Sequence, residues 1–77
     1  MNTPKTPRTP LEDIENRFTY HAPKADQPAR YVALREKAKE LALLIHNSTQ
    51  PSREQSSALT HLDMCVMFAN AGIARNE

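Results

Sequence analysis

The last third of the chain, residues 51–77, constrains the fold more than any other segment; it reads PSREQSSALTHLDMCVMFANAGIARNE. One stripe at helical spacing consists of Leu59, Leu62, Val66, Ala69 and Ile73. Other faces of the same predicted helix carry Met64, Met67, Phe68, Ala71 and Gly72. A helix that is apolar on all sides must be buried on all sides. One partner helix in a chain of 77 residues cannot cover it, so the segment predicts an obligate oligomer.

The length of the chain allows one small domain, and domains of this size commonly need a further source of stability. An internal disulfide is excluded because Cys65 is the single cysteine. The Cys and His residues also lack the spacing of a zinc site. Oligomerisation therefore remains as the expected source of additional stability. The single thiol is typical of a protein in a reducing compartment.

The charge of the chain is nearly balanced, with 10 Lys and Arg against 9 Asp and Glu and a net charge of +1. Proteins that bind long nucleic acids concentrate positive charge on one face, and this sequence does not. The balance is compatible with a small pocket for a few phosphates. No apolar run approaches the roughly 18 residues of a membrane span, so neither long nucleic acid nor a membrane is an expected partner.

The N-terminal residues 1–9 are polar and rich in Thr and Pro, which predicts a flexible arm. Thr9 and Glu12 flank Pro10 with the spacing of a capping box, which predicts a short helix over 10–17. A helix this short is not stable alone, so we expect it to dock on the rest of the chain.

Two longer helices follow. The first is predicted over 27–47, with an apolar stripe formed by Tyr31, Leu34, Ala38, Leu41 and Ile45. Ser52 and Gln55 have the spacing of a second capping box, which opens a helix over 52–75. No alternating run predicts a strand. The predicted fold is therefore all-α: an antiparallel helical hairpin with a short N-terminal helix, one domain over 10–77, assembled as a homo-oligomer.

Enzymatic chemistry finds little support in the residues. Cys65 and His61 are four positions apart, but Cys65 has apolar neighbours, which predict a buried thiol and not a nucleophile. Gly72 is the single glycine, which excludes a Gly-rich phosphate loop. We therefore expect no catalytic group, no metal and no cofactor.

A binding site is better supported than a catalytic one. Tyr20 supplies a ring on the connector before the first long helix, and that helix offers the cations Arg35, Lys37 and Lys39. Polar groups interrupt the apolar last helix at Thr60, His61 and Asn70. Rings that stack on bases, with cations for phosphates, make up a nucleotide pocket. The residues alone favour the plainer alternative, a helical hairpin whose cations form a solvated face.

The sequence from residue 18 to 77 resembles a family of small phage proteins, the anti-CBASS cyclic-nucleotide sponges, whose helical hairpin is shared with an anti-Thoeris sponge family. The resemblance is carried by SREQ at 52–55, ALTHL at 58–62 and ANAGIARNE at 69–77. It implies a homo-oligomer, often a hexamer, that acts in the host bacterial cytoplasm. Such proteins sequester cyclic di- or trinucleotides between subunits without cleaving them, and so keep the CBASS effector inactive.

The resemblance also implies binding residues. It places the aromatic side chain of the pre-helix hook at Tyr20 and a phosphate-contacting cation at Lys37. Further ligand-binding residues carried over from the family are Arg35, Lys39, Thr60, His61 and Arg75. The alternative prediction is a helical oligomerisation or protein-interaction module that has no nucleotide ligand.

Overall fold

The computed structural model describes residues 8–77, which form three helices and no strand. They are α1 (Pro10–Arg17), α2 (Gln27–Ser48) and α3 (Arg53–Asn76). This confirms the all-α prediction for the described part of the chain. The two long helices begin and end within one residue of the ranges predicted for them, while residues 1–7 of the predicted arm lie outside the described residues.

Helix α1 begins with a complete capping box and is held to α3 by polar contacts. Thr9 Oγ1 accepts a hydrogen bond from Glu12 N (3.2 Å), and Glu12 Oε1 accepts one from Thr9 N (2.9 Å). The carbonyl of Arg75, in the last turn of α3, accepts from Arg8 Nη2 (2.8 Å) and from Asn16 Nδ2 (3.1 Å). The capping role predicted for Thr9 is therefore confirmed, and Arg8, which the sequence placed in the flexible arm, contacts the last turn of α3.

Helices α2 and α3 pack along one apolar seam. The half-buried residues of α3 include the stripe Leu59, Leu62, Val66, Ala69 and Ile73, as the spacing predicts. On α2 the half-buried apolar and aromatic positions are Tyr31, Leu34, Ala38, Ala42 and Ile45. The prediction of an inward Leu41 is wrong because this side chain is exposed. Several faces of α2 carry apolar residues, so spacing alone does not select Ala42 over Leu41.

The connection between α2 and α3 is closed by a buried glutamine. Ser52 Oγ accepts a hydrogen bond from Gln55 N (3.1 Å), which is one half of the predicted capping box. The second half would require Gln55 Oε1 to accept from Ser52 N, but the Gln55 side chain instead donates through Nε2 to the carbonyls of His46 (3.3 Å) and Thr49 (3.1 Å). The carbonyls at the end of a helix lack partners within the helix, and the short connection brings Gln55 within reach of them.

The open end of the hairpin is closed by an ion-pair cluster. Arg30 of α2 donates through Nη1 to Glu77 Oε2 (3.0 Å) and through Nη2 to Glu77 Oε1, and it lies 3.2 Å from Asp26. The hydrogen bonds with Glu77 raise the pKa of Arg30, so this guanidinium stays charged. The cluster ties the start of α2 to the last residue of the chain.

None of the described apolar side chains is buried in a single chain. The outer face of α3 leaves Met67 61% exposed and Phe68 74% exposed, and Leu44 of α2 is 60% exposed. Cys65 is exposed as well, although its apolar neighbours predicted a buried thiol, because α2 covers only the opposite face of α3. The described helices include none with the length and apolar character required to cross a bilayer.

Candidate functional site

A cleft of about 530 Å³ opens where the connector after α1 meets the first turns of α2 and the last turns of α3. Small-molecule sites commonly measure about 300–1,000 Å³, so the cleft has room for a nucleotide-sized group. Its wall from α1 and the connector consists of Arg17, Thr19, Tyr20 and His21. The long helices contribute Tyr31, Arg35, Asn70, Ala71, Ala74 and Arg75.

Helical periodicity explains how α2 and α3 supply their parts of the cleft. Tyr31 and Arg35 are four residues apart on α2 and therefore share one face. Asn70 and Ala74 have the same spacing on α3, with Ala71 beside them. Ala71 and Ala74 contribute small apolar side chains to the cleft, and its other lining residues are polar or aromatic.

The connector is anchored on both sides of Tyr20. Thr19 Oγ1 donates to the carbonyl of Glu15 (2.6 Å), and His21 Nε2 lies 2.8 Å from the carbonyl of Asn16. A carbonyl only accepts, so His21 Nε2 carries the proton in this contact. Tyr20 itself is 84% exposed and stands at the rim of the cleft, where its ring is available to a ligand.

The charge in the cleft is positive. Three arginines line it, Arg17, Arg35 and Arg75, and no Asp or Glu of the described residues does. Asp13 pairs with Arg17 at 3.5 Å from outside the cleft, in an exposed contact. Arginine presents several donors in a planar fork that matches phosphate oxygens, so the cleft is suited to a phosphate-bearing ligand.

One polar atom in this region has no hydrogen-bond partner. Asn70 Oδ1 is buried and accepts no hydrogen bond from any described residue. Buried polar atoms in folded proteins are nearly always paired. Asn70 lines the cleft, and this oxygen is out of reach of solvent in the single chain.

The structure brings three of the predicted binding residues together and places the other cations elsewhere. Tyr20, Arg35 and Arg75 all line the cleft. Lys37 lies on another face of α2, in a hollow of about 420 Å³ that also includes Arg30 and Ile73, and its Nζ is 3.3 Å from Glu40. A groove of about 340 Å³ along the seam between α2 and α3 has Lys39 at its edge.

The two predicted polar residues of α3 lie far from the cleft within one chain. Thr60 and His61 are exposed on the N-terminal half of the helix. Ten residues separate Thr60 from Asn70, which corresponds to about 15 Å along a helix axis. His61 Nδ1 is 2.7 Å from the carbonyl of Ser57, one turn earlier in the same helix.

Comparison with known proteins adds the deciding observation. Residues 10–74, which include almost all of the three helices, match the family described as Acb2/Tad1, hairpin domain. The chain belongs to this family. Acb2/Tad1 proteins are anti-CBASS and anti-Thoeris sponges, so membership confirms the resemblance and implies sequestration of cyclic oligonucleotides as an anti-defence activity. Their hairpin is a binding module and not an enzyme. Neither a curated protein nor a solved structure matches the chain significantly.

Within the Acb2/Tad1 hairpin of this chain, the cleft contains residues that sequence reasoning did not assign to a site. They include Arg17, Thr19, His21 and Tyr31. Asn70, which the sequence named because it interrupts the apolar stretch 64–73, lines the cleft as well. Tyr31 resembled one more member of the apolar stripe of α2, and only the fold shows that it faces the connector. The described residues contain no cluster of His, Cys, Asp and Glu able to hold a metal ion.

Proposed function

We propose that this chain sequesters cyclic dinucleotides, cyclic trinucleotides or both without cleaving them, and thereby prevents activation of CBASS effectors in the host bacterial cytoplasm. The observation that carries the proposal is the cleft in which Tyr20 stands beside Arg35 and Arg75 with no carboxylate on its wall. This combination is present on a hairpin of the Acb2/Tad1 family.

The chemistry of binding follows from the groups in the cleft. A base that stacks on the exposed ring of Tyr20 gains about 1–3 kcal/mol. Phosphate oxygens pair with the guanidinium groups of Arg35 and Arg75, in charge-assisted hydrogen bonds that are stronger than neutral ones. None of these groups needs to transfer a proton or attack the ligand, so the bound messenger stays intact.

We propose that the complete site lies between subunits of a homo-oligomer, for which a hexamer is the expected form. Tyr20 and Lys37 line different hollows of one chain, and a ligand that bridges two chains would bring both into one site. The uncovered apolar side chains of α3 supply a surface for that assembly. Lys39, Thr60 and His61 also lie outside the cleft, and a neighbouring subunit is the route by which they reach a ligand.

The biological effect depends on mass action. A tight site on an abundant protein lowers the free concentration of the messenger below the level that activates the effector. Cleavage is unnecessary, and release of the intact ligand is the property that separates a sponge from a phosphodiesterase.

Isothermal titration of the purified protein with a panel of cyclic di- and trinucleotides tests the proposal. The bound ligand is then released by heating and identified by chromatography. Tight binding with intact ligand recovered is the expected result. A folded, oligomeric protein that binds no member of the panel would contradict the proposal and support a helical interaction module.

A second titration with long duplex DNA provides the negative control. Binding to long nucleic acid weakens steeply with salt because counterions are released from the phosphate backbone. We expect no measurable binding, since the net charge of the chain is only +1. Salt-dependent affinity for the duplex that exceeds the affinity for every cyclic nucleotide would replace the sponge with a nucleic-acid-binding protein.

A further inference from the structure

Asn16, in the last turn of α1, connects the end of α3 to the connector that carries Tyr20. Its side-chain Nδ2 donates a hydrogen bond to the carbonyl of Arg75 (3.1 Å), in the last turn of α3. Its own carbonyl accepts a hydrogen bond from His21 Nε2 (2.8 Å), on the connector. One residue therefore links two separate elements through two hydrogen bonds in series.

Both acceptors in this series are carbonyls at helix ends. The last four carbonyls of an α-helix lack a partner within the helix, and Asn16 and Arg75 each lie in the last turn of their helix. The donors come from a different element in each case, so they satisfy the helix ends and also hold the elements together. Arg8 Nη2 donates to the same carbonyl of Arg75 (2.8 Å), but Arg8 precedes α1 and its contact does not include the connector.

The two elements that Asn16 links both contribute to the cleft. Tyr20, the neighbour of His21, lines the cleft from the connector, and Arg75 lines it from α3. Asn16 does not belong to the cleft and instead lines a separate hollow of about 410 Å³ between α1 and α3. It is therefore placed to hold Tyr20 and Arg75 relative to one another from outside the space of the ligand.

The connector needs such a tie because the ring of Tyr20 does not hold it. This ring is 84% exposed, so packing against the chain contributes little to its position. If the connector moved freely, only a fraction of the protein would have a binding-competent cleft. The apparent affinity for the ligand would then fall by that fraction.

On these observations we propose that Asn16 is a positioning residue, whose hydrogen bonds with Arg75 and His21 keep Tyr20 in place for a cyclic nucleotide. The inference rests on the proposed function and deepens it, because it assigns a role in binding to a residue outside the cleft. It predicts that loss of either hydrogen bond weakens binding only while the ring of Tyr20 is present.

The link to α3 is tested with Asn16→Ala, which removes the donor to Arg75. We expect this variant to bind the tightest cyclic nucleotide of the panel about two- to tenfold more weakly, the range that corresponds to one hydrogen bond. Its oligomeric mass in sedimentation velocity is expected to be unchanged. Asn47→Ala, at an exposed asparagine near the opposite end of the hairpin, is the matched control and is expected to bind like the wild type.

The link to the connector is tested with two variants of His21. His21→Leu removes the donor to the carbonyl of Asn16 and is expected to weaken binding as Asn16→Ala does. His21→Gln retains a side-chain N–H group and is expected to bind nearly as well as the wild type. Equal losses in both variants would show that the imidazole contacts the ligand itself, which contradicts a positioning role for this link.

A double-mutant cycle with Tyr20→Ala separates positioning from an independent contribution. Asn16→Ala is expected to have little further effect on binding in a chain that already lacks the ring, so the two losses do not multiply. Losses that multiply would overturn the inference. Wild-type affinity in Asn16→Ala would overturn it as well, and unfolding or dissociation of that variant would show that Asn16 serves the fold.

The position of the connector is also measured without a ligand, by ¹⁵N relaxation of the Tyr20 amide. This amide is expected to be as rigid as the helices in the wild type and more mobile on the ps–ns timescale in Asn16→Ala. Equal mobility in the two proteins would overturn the inference. A wild type that binds no cyclic nucleotide, with mobility that rises in Asn16→Ala, would instead overturn the proposed function and leave the positioning contact established.

Discussion

At the scale of single residues, Tyr20 is a large aromatic side chain that the fold leaves exposed and available to a ligand. Its ring is 84% exposed, yet the residues on either side are anchored by hydrogen bonds to α1. The connector is therefore held in place while the ring has no intramolecular partner that buries it. A ligand that stacks on this ring gains apolar contact without the cost of ordering the backbone.

Replacing the ring tests this role directly. We expect Tyr20→Ala to weaken cyclic-nucleotide binding by about 5- to 150-fold, the range that corresponds to a stacking contribution of about 1–3 kcal/mol. Tyr20→Phe keeps the ring and is expected to bind nearly as well as the wild type. Isothermal titration measures both, and sedimentation velocity checks that the oligomer is intact. Equal losses in the two variants would assign the effect to the hydroxyl and contradict a stacking role.

Individual site residues differ in how far the sequence predicts them. The connector aromatic Tyr20 stands out because it lies outside any amphipathic pattern in a chain with few rings. Tyr31 and Asn70 line the same cleft because of how α2 and α3 pack, so no spacing within one helix reveals it. Lys37 and Arg35 are two residues apart, and the turn of the helix sends them to different hollows.

At the scale of elements, the hairpin turn depends on Gln55, whose amide donates to the carbonyls of His46 and Thr49. Removing the amide leaves these partly buried carbonyls without their donor, which costs roughly 1 kcal/mol and at most about 3 kcal/mol. We expect Gln55→Leu to lower the free energy of unfolding by about this amount in urea denaturation at fixed protein concentration. The exposed Gln50→Leu is the control and is expected to change stability little; equal effects would show that the buried amide has no special role.

The capping box of α1 makes this helix sensitive to acid. The hydrogen bond from Thr9 N lowers the pKa of Glu12 below its ordinary value of 4.5. A carboxyl group with a depressed pKa stabilises the folded state above the unfolded value, and this contribution is lost as pH falls through the folded value. We therefore expect α1 to lose its capping box below about pH 4.5, in the range set by the lowered pKa of Glu12.

The amide resonance of Thr9 reports this transition in an NMR titration with acid. In the wild type it is expected to shift with the protonation of Glu12. Glu12→Gln should remove the titration, because an amide oxygen accepts without ionising, whereas Glu15→Gln on the same helix should leave it unchanged. A Thr9 amide that does not respond to pH in the wild type would contradict the coupling.

The helices themselves are largely predictable from the sequence, and the exceptions arise where one long helix contacts the other. Thr9, Ser52 and the prolines act on neighbouring residues, so helix starts follow from local sequence. The second half of the Ser52 capping box fails because Gln55 meets carbonyls of another helix. The choice of Ala42 over Leu41 is likewise decided by α3, because the apolar residues of α2 surround the helix and do not mark one face.

At the scale of the whole molecule, the uncovered face of α3 is expected to be a subunit interface. Phe68 is 74% exposed in the single chain, and burial of such a side chain contributes about 1.5–3 kcal/mol. We expect Phe68→Asp to weaken self-association by at least about tenfold, measured by sedimentation velocity over a dilution series. Ser56→Asp introduces the same charge on an exposed position of α3 and is expected to leave the assembly intact. Normal assembly of Phe68→Asp would exclude this face as the interface.

If the site is shared between subunits, two variants that each bind weakly should recover tight binding when they are mixed in one oligomer. Tyr20→Ala and Lys37→Ala are each expected to weaken binding, because each removes one side of every pocket. Unfolding the two variants together and refolding them as mixed oligomers places an intact Tyr20 from one chain against an intact Lys37 from the next. A fraction of the sites should then bind with wild-type affinity, and titration of the mixture should show a tight class that neither variant has alone. Mixed oligomers without a tight class would mean that one chain supplies both groups or that Lys37 does not contact the ligand. The two hollows in which these residues lie are separate in a single chain, so recovery of tight binding requires the ligand to span a subunit boundary.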